Sequence, residues 1–386
     1  MQQAVRDVGD RPLRVALVTS SYNFIADGVA LTLNRLVGWL GRQGVEVKVF
    51  APTGPEAVLV HEGELIPVPS LPLPGRTEYR LAFGLGREAK SRLLAFQPDL
   101  IHIAVPDLLG LAALKLARKH NIPAVASYHT RYETYLKHYW YLARLEKPLK
   151  RYLRWFYGQV REVYVPSRSV REALLADGLK DNFKFWPRGI DTERFAPSKR
   201  SKAWREKYGI GPDEIVVLHV SRLVREKRLD TLTGALQRID LPYRGVIVGD
   251  GPDRAFAEAA VPKAVFTGFL SGEDLATAYA SSDIFVFPSD SESFGNVTLE
   301  AMASGLPCIC ANATGSRSLV VAGETGYLAP AHSPAAFAEL IMRLIEDAPF
   351  RRRMGDAGRA RALTFSWDET MARMLGYYRA LLGASS

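Results

Sequence analysis

The chain has 386 residues, 47% of them hydrophobic, with 50 Lys and Arg against 41 Asp and Glu. At roughly 150 residues per domain that length predicts two or three cores, and the composition excludes a fibrous or disordered chain. No apolar run reaches the ~20 residues of a bilayer span, the N-terminus has no apolar signal core, and two cysteines cannot staple a fold, so a cytoplasmic globular protein is expected.

The charge is unevenly placed. Residues 1–190 carry 27 Lys and Arg against 17 Asp and Glu, and residues 191–386 carry 23 against 24, so the whole excess of +9 belongs to the first half. A basic half implies an anionic partner: nucleic acid, a membrane surface or an acidic substrate.

In chain order, residues 14–18 read as a buried strand, a loop runs to Asp27, a helical pattern spans 28–42, and 45–50 is the next strand, a βαβ unit. The run from Pro67 to Pro74, with four prolines, reads as a loop. Strands are then expected at 100–104, 122–127, 162–165 and 183–186, with helices over 108–120, through a long stretch before Glu162, and from Ser169. A second series follows Gly209-Ile-Gly-Pro, with strands at 215–220, 246–248, 265–267, 283–287 and 307–311 and helical patterns between them. Two βα series predict two doubly wound domains, 1–190 and 191–365, joined near Gly189 to Pro197, with a last helical segment in 366–386. Cys308 and Cys310 alternate in one apolar strand and read as core thiols.

Loops at strand C-terminal ends that lead into helix N-termini suit anions, because free N–H groups and the helix dipole both favour negative charge. Ser289 to Pro307 is such a stretch, with Glu292 on the loop, Phe294, Gly295, Asn296 and Val297 at the turn, and Glu300 one turn inside the helix. Glu292 can accept hydrogen bonds from sugar hydroxyls and Glu300 from a ribose diol; alternatively, the first complements the dipole and the second is a solvated helix residue. Ser221 to Arg228 sets four cations around Glu226, so Arg222 and Lys227 can hold a diphosphate or belong to a solvated basic loop. Gly249-Asp-Gly-Pro-Asp253 is a turn of low specificity. Asp27-Gly28-Val29 is either a phosphate loop or a tight turn, and His129, after the 122–127 strand, is either a structural or a site histidine. There is no Asp-x-Asp metal element.

Ser291-Glu-Ser-Phe-Gly-Asn-Val-Thr-Leu-Glu-Ala-Met-Ala-Ser-Gly-Leu-Pro307 resembles the Glu-x7-Glu signature of family four of the retaining glycosyltransferases, whose GT-B fold faces two Rossmann-like domains across a cleft. Arg222-x4-Lys227 resembles the family's Arg-x4-Lys element, with Arg228 where a glycine is usual, and His129-Thr resembles its His-Thr element. The likeness runs from Arg14 to about Pro330; Thr314-Gly-Ser-Arg-Ser318 departs from it, where many relatives have Gly-Gly and a nearby glutamate.

The resemblance implies a nucleoside-diphosphate sugar as donor. Its diphosphate lies on Arg222, Lys227 and the N–H groups of the Glu292 loop, its ribose on Glu300, and its sugar between Glu292 and His129. Gly28 approaches the phosphates, Gly249 and Leu270 lie near the base, and Arg188 touches either substrate. Retention without a metal or cofactor, and a C-terminal helix crossing back to the first domain, are implied as well.

Asp27-Gly-Val and His129-Thr-x-Tyr132 resemble the diacylglycerol-glycosylating branch, which implies a lipid or glycolipid acceptor and a hexose from a UDP-sugar ahead of GDP-mannose. From Arg131 to Arg161 there are nine aromatics and eight Lys or Arg against two acids. Such a segment fits single-stranded nucleic acid, an anionic bilayer, or a core helix with a solvated face. Peripheral attachment to the inner face of the cytoplasmic membrane through the first domain, without nucleic acid, is the expectation. The alternatives are a soluble glycosyltransferase of polysaccharides or small alcohols, and a basic nucleic-acid binder.

Overall fold

The computed structural model describes residues 11–25, 27–73, 76–129 and 146–383. They fall into two compact units: the described residues up to 187 together with 368–383, and residues 188–367.

The first unit is built on β1 (Arg14–Val18), α1 (Gly28–Arg42), β2 (Glu46–Ala51), β3 (Glu64–Pro67), β4 (Ser70–Leu73), β5 (Arg76–Ala82), α2 (Gly86–Phe96), β6 (Leu100–Ile103), α3 (Leu108–Lys119), β7 (Ala124–Ser127), α4 (Glu146–Gly158), β8 (Val163–Val165), α5 (Arg168–Ala176) and β9 (Phe183–Phe185). Seven strands pair in parallel in the order β3-β2-β1-β6-β7-β8-β9. β1, β6 and β7 are almost wholly buried, because helices cover both faces of a parallel sheet and its central strands read as apolar runs. Aspartates start two helices: Asp27 accepts from Val29 and Ala30 N–H at 3.0 and 2.8 Å, and Asp107 from Gly110 N–H at 2.9 Å.

Of the expected loop at 67–74, Ser70–Leu73 proves to be a strand of an antiparallel ribbon, β4 on β5, with Leu71 opposite Leu81 and Pro72 opposite Arg80. A two-stranded ribbon tolerates proline because half of its N–H groups face away from the partner strand.

The second unit contains α6 (Lys202–Lys207), β10 (Val216–Val220), α7 (Leu229–Leu236), β11 (Arg244–Val248), α8 (Arg254–Ala260), β12 (Val265–Gly268), α9 (Gly272–Ala280), β13 (Ile284–Phe287), α10 (Asn296–Ala303), β14 (Cys308–Ala311), α11 (Ser316–Leu319), β15 (Gly326–Ala329), α12 (Pro334–Glu346) and α13 (Ala348–Ala362). Its six parallel strands run β12-β11-β10-β13-β14-β15. Alternate residues feed two cores: Val216, Leu218, Phe285, Phe287, Cys308 and Cys310 on one face, Val217, Ile284, Val286, Ile309 and Ala311 on the other. The two cysteines are thus free, buried thiols on one strand face, and burial pushes the Cys310 thiol up to about 12.

The last helix, α14 (Trp367–Leu381), packs on the first sheet. Tyr377 stacks on Tyr164 and its hydroxyl donates to the Phe185 carbonyl at 3.1 Å, while buried Tyr378 reaches His102 of β6.

Candidate functional site

β10 and β13 are parallel neighbours, yet the chain leaves β10 toward β11 and leaves β13 toward β14, on the opposite side. The sheet therefore has its topological switch point between them, where loops diverge at the strand C-termini and leave a crevice for a ligand. Arg222 and Lys227 lie on the β10 loop, Glu292 on the β13 loop.

These two loops are joined directly. Lys227 Nζ forms an ion pair and hydrogen bond with Glu292 Oε1, the two side chains being 12% and 23% exposed. Ser289 and Ser291 hydroxyls donate to the Glu226 carbonyl, both at 3.3 Å, tying the β13 loop to the turn that carries Lys227. Gly315 N–H donates to the Glu292 carbonyl at 3.0 Å, and a Cβ at Gly315 would lie 2.9 Å from that oxygen. The 314–318 segment thus holds the acidic loop by a backbone contact close enough to favour glycine at position 315.

Gly295, at φ 95°, turns the chain into α10, and Phe294 is buried edge-on against Phe365. Asn296 is exposed at the first helical position and Val297 is partly buried against the core. Inside the helix, Glu300 Oε2 accepts from the Tyr279 hydroxyl at 3.0 Å. Burial first, and then the Glu300 charge, hold Tyr279 well above the ordinary phenol range, so its hydroxyl remains a donor that orients the carboxylate.

A third loop braces the first. Leu223 N–H donates to the Asp250 carbonyl at 2.8 Å, and Asp253 N–H to the Leu223 carbonyl at 3.0 Å. A Cβ at Gly249 would lie 1.8 Å from the Ser221 carbonyl oxygen, so glycine is required there by close approach. Beneath them His219, lowered to about pKa 4 by burial first, against its bond to Val286, and also by the Lys227 charge, donates from Nδ1 to the Val286 carbonyl at 2.9 Å and meets the Ser221 hydroxyl through Nε2 at 2.8 Å. Leu270 is partly buried against the core.

Arg228 adopts φ 59° and ψ 47°, so the turn keeps the left-handed shape that glycine would give it. That conformation costs an L-residue about 1–2 kcal/mol. Arg228→Gly is accordingly expected to unfold in urea within about 1 kcal/mol of the parent, while Arg228→Val, β-branched at positive φ, loses about 2 kcal/mol.

The structure therefore brings Lys227 and Glu292 into contact, with Arg222, Gly249 and Glu300 on the same edge of the same sheet. Gly28 and His129 are in the first unit. Gly28 is the exposed first residue of α1, whose next two N–H groups bond to Asp27. His129 is 9% exposed, edge-on to Trp186, with Nε2 2.7 Å from the Ser127 hydroxyl. Arg188 is buried in the second unit, its guanidinium lowered by burial to about 10. Thr130, Arg131 and Tyr132, and the aromatic segment as far as residue 145, lie outside the described residues. Among the described residues no group of three His, Cys, Asp or Glu converges as a metal site.

Gly315, Tyr279, Ser289 and Ser291 support the site in roles the sequence did not assign to them. Ser289 and Ser291 precede the glutamate by three residues and one and could have been found there; Gly315 and Tyr279 act through tertiary contacts with no local pattern.

A family profile described as "Glycosyl transferases group 1" matches residues 200–361, and "Glycosyltransferase Family 4" matches 26–194. A GDP-mannose-dependent alpha-mannosyltransferase of Mycobacterium tuberculosis is 36% identical over 382 residues, 96% of this chain and 97% of the relative. The chain belongs to glycosyltransferase family 4. An alpha-monoglucosyldiacylglycerol synthase of Streptococcus pneumoniae is 30% identical to this glycosyltransferase over 312 residues, 77% of this chain and 70% of that one. Among solved structures, a sucrose-phosphate synthase of Thermosynechococcus elongatus superposes with TM-score 0.82 at 25% identity, covering 97% of this chain and all of that one. The fold is GT-B, with two Rossmann-like domains, as the signature implied.

Proposed function

We propose that this glycosyltransferase moves a mannosyl group from GDP-mannose to a lipid or glycolipid acceptor at an anionic membrane surface, with retention of anomeric configuration and without a metal. The observation that carries the reading is the Lys227–Glu292 pair at the β10/β13 switch point. A donor offers each member a better-matched partner: phosphate oxygens for Nζ, a sugar hydroxyl for the carboxylate. Arg222 adds a second cation to the diphosphate, Glu300 takes the ribose, and His129 contacts the sugar from the first unit. The acceptor oxygen bonds to the anomeric carbon on the face the diphosphate leaves. The anomeric C–O bond to phosphate breaks, its electron pair stays on the phosphate, and that oxygen takes the acceptor's proton.

Support for the base comes from the relative with 36% identity, which is named for GDP-mannose and turns the first expectation from a UDP-sugar toward guanine. Support for a lipid acceptor comes from the diacylglycerol glycosyltransferase likeness. The basic face of α4 supports the membrane: Lys147, Arg151, Arg154 and 43%-exposed Trp155 face solvent, while Leu153, Phe156 and Tyr157 are buried. No described helix is long and apolar enough to span a bilayer.

GDP-mannose at ~100 times its dissociation constant is expected to add ~2.7 kcal/mol to the unfolding free energy. Protection by UDP-glucose and none by GDP-mannose would move the donor assignment to a UDP-sugar; a transferred mannose whose one-bond carbon–proton coupling at C1 is that of the β anomer would refute retention. Replacing Arg151 and Arg154 together by glutamate is expected to abolish sedimentation with vesicles containing phosphatidylglycerol, at unchanged donor protection. Equal sedimentation of parent and variant would defeat attachment through this helix.

A further inference from the structure

Four polar side chains run as one hydrogen-bonded line through the core of the first unit. The Tyr378 hydroxyl lies 2.6 Å from His102 Nδ1, His102 Nε2 lies 2.9 Å from the Ser127 hydroxyl, and that hydroxyl lies 2.7 Å from His129 Nε2. The first three are 0, 0 and 1% exposed. They come from α14, β6 and β7, so three distant stretches of chain meet in a line that ends on His129. Apolar side chains of similar volume would pack this core without polar groups to satisfy, so the line serves its far end.

The direction of the bonds follows from counting protons. Burial alone holds His102 to about 3, so it is neutral and carries a single ring proton. The Tyr378 hydroxyl keeps its proton, raised by burial, and among the described residues His102 Nδ1 is the hydrogen-bond partner it has. It therefore donates to Nδ1. His102 then carries its proton on Nε2 and donates to Ser127, whose own proton is left to point at His129 Nε2.

We propose that Tyr378, His102 and Ser127 are positioning residues that fix the His129 ring in the tautomer protonated on Nδ1, so that the nitrogen turned away from Ser127 is a donor. The inference deepens the proposed function: it rests on His129 touching the transferred sugar, to which that nitrogen would donate.

Long-range proton–nitrogen correlation spectra of the full-length protein, labelled with ¹⁵N-histidine and assigned with His129→Ala, read the tautomers without any substrate. The expected parent spectrum shows His129 protonated on Nδ1 and His102 on Nε2. In Tyr378→Phe both rings should relax toward mixed tautomers. Mannosyl transfer from GDP-mannose should fall about ten-fold in kcat at nearly constant KM, the lower end of the scale for losing a group that orients a site ligand. Ser127→Ala should do the same to His129 alone and serves as the test if Tyr378→Phe unfolds. A parent His129 protonated on Nε2, or a His129 tautomer unchanged in both variants, overturns the proposal. Full turnover in His129→Ala would instead refute the sugar contact, a result separable because the spectra still report the tautomer.

Discussion

Lys227→Ala is expected to lower the turnover of sugar transfer by roughly 100- to 1000-fold, the scale for removing one preorganised group that stabilises developing charge. As the anomeric carbon–oxygen bond breaks, the diphosphate gains charge, and Nζ, 12% exposed and 5.9 Å above the Phe287 ring before the donor enters, has by then passed from Glu292 to the phosphate oxygens. No reorganisation of that cation is needed when the charge appears. The substitution also strands the Glu292 carboxylate, a loss of ~1.5–3 kcal/mol for a hydrogen bond to a charged group. Glu292→Gln separates the two effects, since it keeps the shape and removes the charge. If the pair works as a unit, the double variant is less impaired than the product of the single losses. Steady-state kinetics of all three, with unfolding curves as a control, would retire the assigned role if Lys227→Ala turned over at near-normal rate.

Gly249→Ala is expected to destabilise the second unit by ~3 kcal/mol or more and to weaken donor binding in parallel, because the new methyl must displace the strand end that bears Arg222. Two causes combine there, φ of 128° and a backbone oxygen 1.8 Å from the new carbon. Gly209 provides the control: its φ is 63°, but nothing lies within 4 Å of its added Cβ, so Gly209→Ala isolates conformational strain and should cost ~1 kcal/mol. Equal losses at the two positions, measured by urea unfolding, would show that the close approach at Gly249 carries no weight.

Much of the architecture was legible because parallel strands covered on both faces are short apolar runs between glycines and polar turns. Val216–Val220 and Ile284–Phe287 sit within one residue of the expected spans. The Glu292–Glu300 string was legible because a loop, a positive-φ glycine and a helix start each leave a local mark. The 70–82 ribbon was hidden by its prolines, which read as a loop unless the pairing partner is known. The bonds that orient the site, from Gly315 to the Glu292 carbonyl and from Tyr279 to Glu300, join residues 23 and 21 positions apart and have no periodicity to betray them. The Arg228 turn was ambiguous for another reason: an arginine where a glycine is usual leaves the loop shape open in sequence, and the structure has Arg228 at φ 59°, between the buried Leu223 and Leu229.

Because α14 completes the first sheet while the whole second unit intervenes in sequence, the ribosome releases the opening half of this protein unfinished. Strands β6 and β8 keep their aromatic faces uncovered until α14 has been translated. A shortened gene that stops before Asp368, or a rigid fusion placed hard against Leu381, would leave Tyr164 and His102 facing solvent in an otherwise correct chain.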